Sequence, residues 1–191
     1  WEGSVYVAAS GGNDRLLVSL DSDMTLTDVN LAFPWNAIFI GLHGFAKDGA
    51  VSLPDGQTYH LGSVENVQLT GGPGANHLDA SGYSRQAILE GAGGDDVLEG
   101  GSGDDLFLFD ADDPLGTDTI VGSAGTDWMD FSASTLPVTV DLSSTLVVQP
   151  VNANLSLIID DAIEGVIGGE GDDHLTGNDL DNMLQGGPGD D

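Results

Sequence analysis

A nine-residue unit returns in register along this chain, and that recurrence restricts the fold more than any other feature of the sequence. Residues 91–99 (GAGGDDVLE), 100–108 (GGSGDDLFL) and 168–176 (GGEGDDHLT) share the form G-G-x-G-x-D-x-U-x, with U large and apolar. Looser copies stand at 71–79 (GGPGANHLD) and 122–130 (GSAGTDWMD), and residues 186–191 (GGPGDD) begin another. A unit this short cannot bury its apolar position alone, so copies must stack on one another. Gly permits the backbone angles of a tight six-residue turn and lets carbonyl oxygens crowd together. The x-U-x triplet reads as a short strand that turns one apolar side chain inward. The expected internal ladder is Leu78, Leu98, Phe107, Met129, Leu175 and Leu184.

Charge narrows the choice of ligand. The 191 residues carry 32 acids against 3 Lys and Arg, a formal net charge of -29. Such a chain repels nucleic acid and anionic membranes, and its partners are cations. An acidic chain with 29 Gly can simply be disordered. Apolar residues at fixed spacing beside the acids point instead to a fold conditional on a counter-charge. Asp at position six supplies a short, hard carboxylate. Ca²⁺ takes six to eight oxygens at ~2.3–2.6 Å, which carboxylates and carbonyls together provide. With no Cys there is neither a disulfide nor a thiolate site, which leaves metal ions as the staple. No apolar run approaches the ~18 residues of a membrane span.

The unit resembles the RTX, or hemolysin-type, calcium-binding nonapeptide repeat, over roughly residues 71–130 and 168–191. The resemblance implies an all-β, right-handed parallel β-roll (a β-solenoid) in which two nonapeptides make one coil and Ca²⁺ lies between stacked turns. Turns n and n+2 then share an edge. Asp105 should face Asp127, Asp96 should lie between Asn76 and Asp118, and Asp173 should face Asp191 with Asn182 on the opposite edge. Carbonyl ligands are expected from Gly72, Gly74, Gly94, Gly101, Gly103, Gly125, Gly169, Gly171, Gly187 and Gly189. Asp14, in a segment like the tail of a repeat block, would complete a site begun in a neighbouring block. Residues 80–90 are a poor copy, with Arg85 in place of the acid, so calcium on that edge is in doubt.

The order of segments suggests a tandem array. Residues 1–17 read as the end of one block, 18–70 as a β-rich linker with a hairpin, 71–130 as a roll block, 131–167 as a second β-rich linker, and 168–191 as the start of another block. Val138–Leu142 alternates apolar and polar as a strand does, and Leu146–Val148 and Leu155–Ile159 read as short buried strands. Pro54-Asp55-Gly56 reads as a hairpin turn. The linkers are expected to continue the solenoid, since an open roll end would expose strand edges. Starting at Trp1 and stopping inside a repeat, the chain reads as a piece of a longer protein.

Other signals are weaker. His77 and His174 flank repeat strands and read as solvated faces rather than zinc ligands. The aromatic stretch 31–45 reads as core rather than as a carbohydrate surface. No Ser/His/Asp arrangement or H-E-x-x-H helix is present, and no enzyme activity is expected of this chain. The favoured reading is a structural or adhesive module of a large secreted or cell-surface protein, outside the cell and of bacterial surface or matrix type. It folds on Ca²⁺ and stacks on copies of itself or on neighbouring repeats. The alternative is an accessory calcium-binding module of a secreted hydrolase, lyase or epimerase.

Overall fold

The computed structural model describes residues 66–191, with side chains from 67, and the backbone of five strands before them. Those five are β1 (Gly3–Ala8), β2 (Arg15–Leu20), β3 (Met24–Thr27), β4 (Ala50–Ser52) and β5 (Thr58–His60). The first block contributes β6 (Asn66–Thr70), β7 (His77–Gly82), β8 (Gln86–Glu90), β9 (Val97–Glu99), β10 (Leu106–Leu108), β11 (Gly116–Val121) and β12 (Trp128–Asp130). Then come β13 (Thr139–Asp141), β14 (Gln149–Pro150), β15 (Leu155–Ile159), β16 (Gly165–Ile167), β17 (His174–Thr176) and β18 (Met183–Gln185). The described residues contain no helix, so none is long and apolar enough to cross a membrane.

From β6 to β12 successive strands alternate between two sheets, and each pairs in parallel with the strand two places on. One sheet runs β6-β8-β10-β12-β16-β18, and the other runs β7-β9-β11-β15. Two repeats therefore make one coil, as the nonapeptide period requires. The short strands place one side chain of each triplet inward. Leu78, Leu98 and Ile120 stack in one sheet, Phe107, Met129 and Val166 in the other, all with 0% exposure. Each such burial contributes roughly 1.5–3 kcal/mol. The ladder thins at its far end: Leu175 is only half-buried and Leu184 is exposed, because β18 is an edge strand.

The second linker continues the roll. Strand β15, buried on alternate residues, pairs with β11, while β16 joins β12 to β18. Strand β13, with Val138, Val140 and Leu142 buried, pairs in parallel with β17. One expectation fails. Leu146, Val147 and Val148 form no buried strand and are 76%, 54% and 60% exposed. Asp141 Oδ1 accepts the backbone N–H and the hydroxyl of Ser143, which turns the chain outward. The strand resumes only at Gln149, whose buried amide binds the Asp141 backbone at both N–H and C=O.

In the first linker, β4 and β5 pair antiparallel with Val51 opposite Tyr59, on either side of the expected hairpin turn. Strands β2 and β3 pair in parallel with β6 and β7, so both belong to the same two sheets. Asp14, the aromatic stretch 31–45 and the turn at Pro54–Gly56 lie outside the described residues.

Candidate metal centres

The six-residue turns stack along the edges of the roll, and their sixth residues form columns. In the first column the backbone N–H of Asn76 donates to Asp96 Oδ1 (2.7 Å), and that of Asp96 donates to Asp118 Oδ1 (3.0 Å). In the second, Asp105 N–H donates to Asp127 Oδ1 (2.8 Å). In the third, Asp173 N–H donates to Asp191 Oδ1 (2.9 Å). All the turn pairs read from the period are brought together. Asp96, Asp105, Asp118, Asp127 and Asp173 are buried, with exposures of 0–5%.

The turns adopt two geometries. At 71–76, 100–105 and 168–173 the acid or amide curls back on its own turn. Gly72 N–H donates to Asn76 Oδ1 (2.6 Å), Gly101 N–H to Asp105 Oδ2 (2.6 Å) and Gly169 N–H to Asp173 Oδ2 (2.8 Å). At 91–96, 122–127 and 186–191 positions two and four take positive φ: Ala92 (65°) and Gly94 (124°), Ser123 (79°) and Gly125 (128°), Gly187 (111°) and Gly189 (153°). In the first two of these turns the acid's second oxygen loses its partner. Asp96 Oδ2 and Asp127 Oδ2 are buried and receive no hydrogen bond. Ala92 and Ser123 hold a backbone region that only glycine enters freely, which costs of order 1 kcal/mol each.

In both geometries the carboxylate Oδ2 sits beside position one of its own turn, as at Gly91, Gly100, Gly122 and Gly168. A methyl group placed on Gly100 would lie 2.5 Å from Asp105 Oδ2 and 2.8 Å from the Gly122 carbonyl of the next turn. Gly168 stands in the same relation to Asp173 Oδ2 and the Gly186 carbonyl. Only glycine leaves this cradle open, and oxygens line it. A hard cation is the ligand such a donor set fits.

Electrostatics agrees. Burial pushes the carboxyl of Asp105 up to about 6, that of Asp118 to about 7 and that of Asp127 to about 8. Charge repulsion from Asp96 adds to the shift at Asp118, and repulsion from Asp105, Glu164 and Asp160 adds to it at Asp127. A buried carboxylate without a counter-charge is costly.

Several residues fall differently from the sequence reading. Opposite Asp105 stands Ala87 rather than Arg85, and its N–H donates to Asp105 Oδ1 (2.7 Å). The longer strand β8 shifts the register by two residues, and position six of that turn carries no acid. Glu164 was overlooked. It takes position six opposite Asp127, whose N–H donates to Glu164 Oε2 (2.8 Å). Asn182 stacks beyond Glu164, on the edge opposite Asp173 as expected, and its Oδ1 accepts from Asn178 N–H (2.7 Å). Among the carbonyls, Gly74, Gly103, Gly169 and Gly171 abut the glycine Cα atoms of the next turn, at Gly94, Gly125, Gly187 and Gly189. Those of Gly72 and Gly101 accept the N–H of Gly93 (3.2 Å) and Ala124 (3.3 Å). The position-one carbonyls of Gly91, Gly122 and Gly186 crowd the same glycine as the Asn76, Asp105 and Asp173 side chains, and the consensus alone did not single them out. His77 is half-exposed and its Nε2 lies 2.9 Å from Glu99 Oε1, with Asp79 close by, on the outer face of the sheet.

No curated protein and no solved structure matches the chain. A family model does. The RTX calcium-binding nonapeptide repeat matches in four copies, over residues 81–113, 115–133 and 166–191. It omits 71–79, which the fold nevertheless stacks as a turn. With the period, the parallel roll and the acid columns already in place, these segments, which make up under half of the chain, are RTX calcium-binding nonapeptide repeats.

Proposed function

We propose that this module is a calcium-gated structural unit of a large secreted or cell-surface protein, with no catalytic role of its own. The observation that carries the reading is the set of buried carboxylates that meet between stacked turns. Asn76, Asp96, Asp118, Asp105, Asp127, Asp173 and Asp191, with nearby turn carbonyls, would hold the ions. Bound calcium supplies the positive charge that lets these carboxylates stay ionised inside the fold. Ordering Gly-rich turns costs ~1–2 kcal/mol per residue, which the metal-free chain cannot recover from so narrow a core. Metal-binding free energy then becomes folding free energy. A chain of this kind stays unfolded where calcium is scarce and folds outside the cell. Leu180, Met183 and Leu184 are exposed beside the edge strand β18. A further coil, from a neighbouring repeat or a second copy, would cover them and lengthen the roll, and such head-to-tail stacking gives filaments.

Far-UV circular dichroism during a Ca²⁺ titration of chelator-treated protein tests this, with Mg²⁺ as control. A cooperative coil-to-β transition specific to Ca²⁺ is expected. A β spectrum indifferent to chelator would overturn the gating. Rods in negative stain at saturating Ca²⁺ support the assembly reading, and compact particles alone would overturn it.

A further inference from the structure

Away from the turns, the outer face of the roll brings three metal-ligating side chains of mixed kind to one place: His77, Asp79 and Glu99. Strand β7 begins His77-Leu78-Asp79, so its first and third side chains share the outer face while Leu78 points into the core. Strand β9 reads Val97-Leu98-Glu99 and pairs with β7 in parallel, with Leu98 opposite Leu78 and Glu99 opposite Asp79. Two carboxylates are thereby set directly across from each other, which costs stability unless positive charge joins them. His77 Nε2 lies 2.9 Å from Glu99 Oε1. One donor atom from each of the three side chains falls within 4.8 Å of the other two. The Ser81 N–H (2.9 Å) and hydroxyl (2.6 Å) both donate to Asp79 Oδ1 and orient that carboxylate. Leu78 and Leu98 are 0% exposed, so the core fixes the strands that carry the donors. His174 offers a contrast. It holds the same place in its repeat, but β17 pairs with β13, which sets Thr139 opposite His174 and Asp141 opposite Thr176. That pairing supplies a single acid, and His174 joins no such group among the described residues.

We propose that His77, Asp79 and Glu99 form a Zn²⁺ site on the outer face of the roll, distinct from the calcium turns. An imidazole nitrogen with two carboxylate oxygens suits a borderline ion such as Zn²⁺, whereas Ca²⁺ takes oxygen donors. Three protein donors leave the fourth tetrahedral position to water or to a donor from another molecule. Donors that share one tetrahedral Zn²⁺ stand roughly 3.4 Å apart. Partly exposed side chains already within 4.8 Å of one another reach that spacing by small rotations. The ion's charge offsets the two opposed acids. Its ligands come from consecutive coils, so bound zinc clamps β7 to β9 on the outer face while calcium holds the turns at the edge. Without zinc, the contact of His77 with Glu99 is a weak surface pair. The inference uses only the pairing of β7 with β9 and is independent of whether calcium gates folding.

Zn²⁺ binding is measured by calorimetry on the full chain in saturating Ca²⁺, which keeps the turns occupied. His77→Ala, Asp79→Asn and Glu99→Gln are compared with His174→Ala. The two carboxamides keep an oxygen acceptor for Ser81 and for His77, so the local hydrogen bonds survive the loss of charge. Far-UV circular dichroism in Ca²⁺ should be the same for every variant. His77→Ala should bind one Zn²⁺ fewer per chain than the parent. Asp79→Asn and Glu99→Gln should each weaken that binding by at least the roughly tenfold that losing an outer-shell partner costs. His174→Ala should match the parent. The Ca²⁺ midpoint should be unchanged throughout, and Zn²⁺ should raise the melting temperature of the parent by more than that of His77→Ala. Equal Zn²⁺ stoichiometry in the parent and His77→Ala would overturn the site, and so would no Zn²⁺ uptake by the parent. Displacement of the ion by excess Ca²⁺ would also overturn it, by showing an oxygen site without His77. Should one variant lose the β spectrum, the other two are read by the same criteria.

Discussion

The repeat coils and the linker coil share one strand ladder but close their edges by different chemistry. In the repeats the edge is anionic: Asp96 and Asp127 each bury an oxygen with no donor. Where Asn152 and Asn154 close the linker coil it is mostly neutral. Asn154 Nδ2 donates to the carbonyls of Ala111 (3.0 Å) and Asp112 (2.9 Å), and Asn152 Nδ2 also reaches Ala111 O (3.0 Å). The acid there, Asp112, is satisfied by protein alone. The Thr135 hydroxyl and the N–H groups of Leu136 and Thr135 hold its carboxyl below the usual range. The first column shows the change along one edge, because Asp118 is followed by Leu157. Amide donors make an edge that stands without metal, whereas paired carboxylates make one that waits for it.

If the two regions share one core, truncating either should cost alike. Leu98→Ala in the repeats and Leu157→Ala in the linker should each lower stability by about 2–5 kcal/mol in saturating Ca²⁺. Denaturant melts check this, and a much smaller loss at Leu157 would separate the linker from the roll. Leu98 and Leu157 are both fully buried.

Acid substitutions should split the regions next. Asp118→Asn removes a buried charge, so residual β signal in chelator should rise while Ca²⁺ affinity falls by tenfold or more. The same logic sets the pH dependence. Asp105, Asp118 and Asp127 have folded values of about 6, 7 and 8, above the ordinary 3.8. In the metal-free chain their contribution is fully present below 3.8 and is lost as pH rises through 6 to 8. Protons and calcium therefore compete, and half-saturating Ca²⁺, followed by circular dichroism, should fall steadily from pH 6 to pH 8. A flat profile would mean that the buried acids are not the ligands.

Asn154→Ala leaves the Asp112 carbonyl without this donor and should cost about 1–3 kcal/mol. Because amides close this edge of the linker, that loss should be the same at all Ca²⁺ concentrations that saturate the repeats. The smallest effect belongs to the outer face. His77→Ala removes a half-exposed pair with Glu99 and should change stability by about 0.5 kcal/mol or less.

The repeat turns were legible because each carries its own instruction. Gly at positions one and four, Asp at six and an apolar residue at eight define one coil edge whatever surrounds them. That is why the facing of Asp105 with Asp127, and of Asp96 with Asn76 and Asp118, follows from counting. Arg85 was misplaced because β8 is longer than a repeat triplet, and the count slips where strand length changes. Glu164 was invisible for a related reason. Nothing local marks an acid in DAIEG as the sixth position of a turn.

The sequence by itself determined the coil period, the inward ladder, the acid edge and the need for a cation, since all four depend on residues within nine of one another. Only the tertiary structure decided what spans longer separations. It set Ala87 against Asp105 and Glu164 against Asp127, turned Leu146–Val148 outward, and left Asp96 Oδ2 and Asp127 Oδ2 without donors. Parallel stacking joins residues about twenty or more positions apart, and an irregular linker between them removes the period from which their register could be counted.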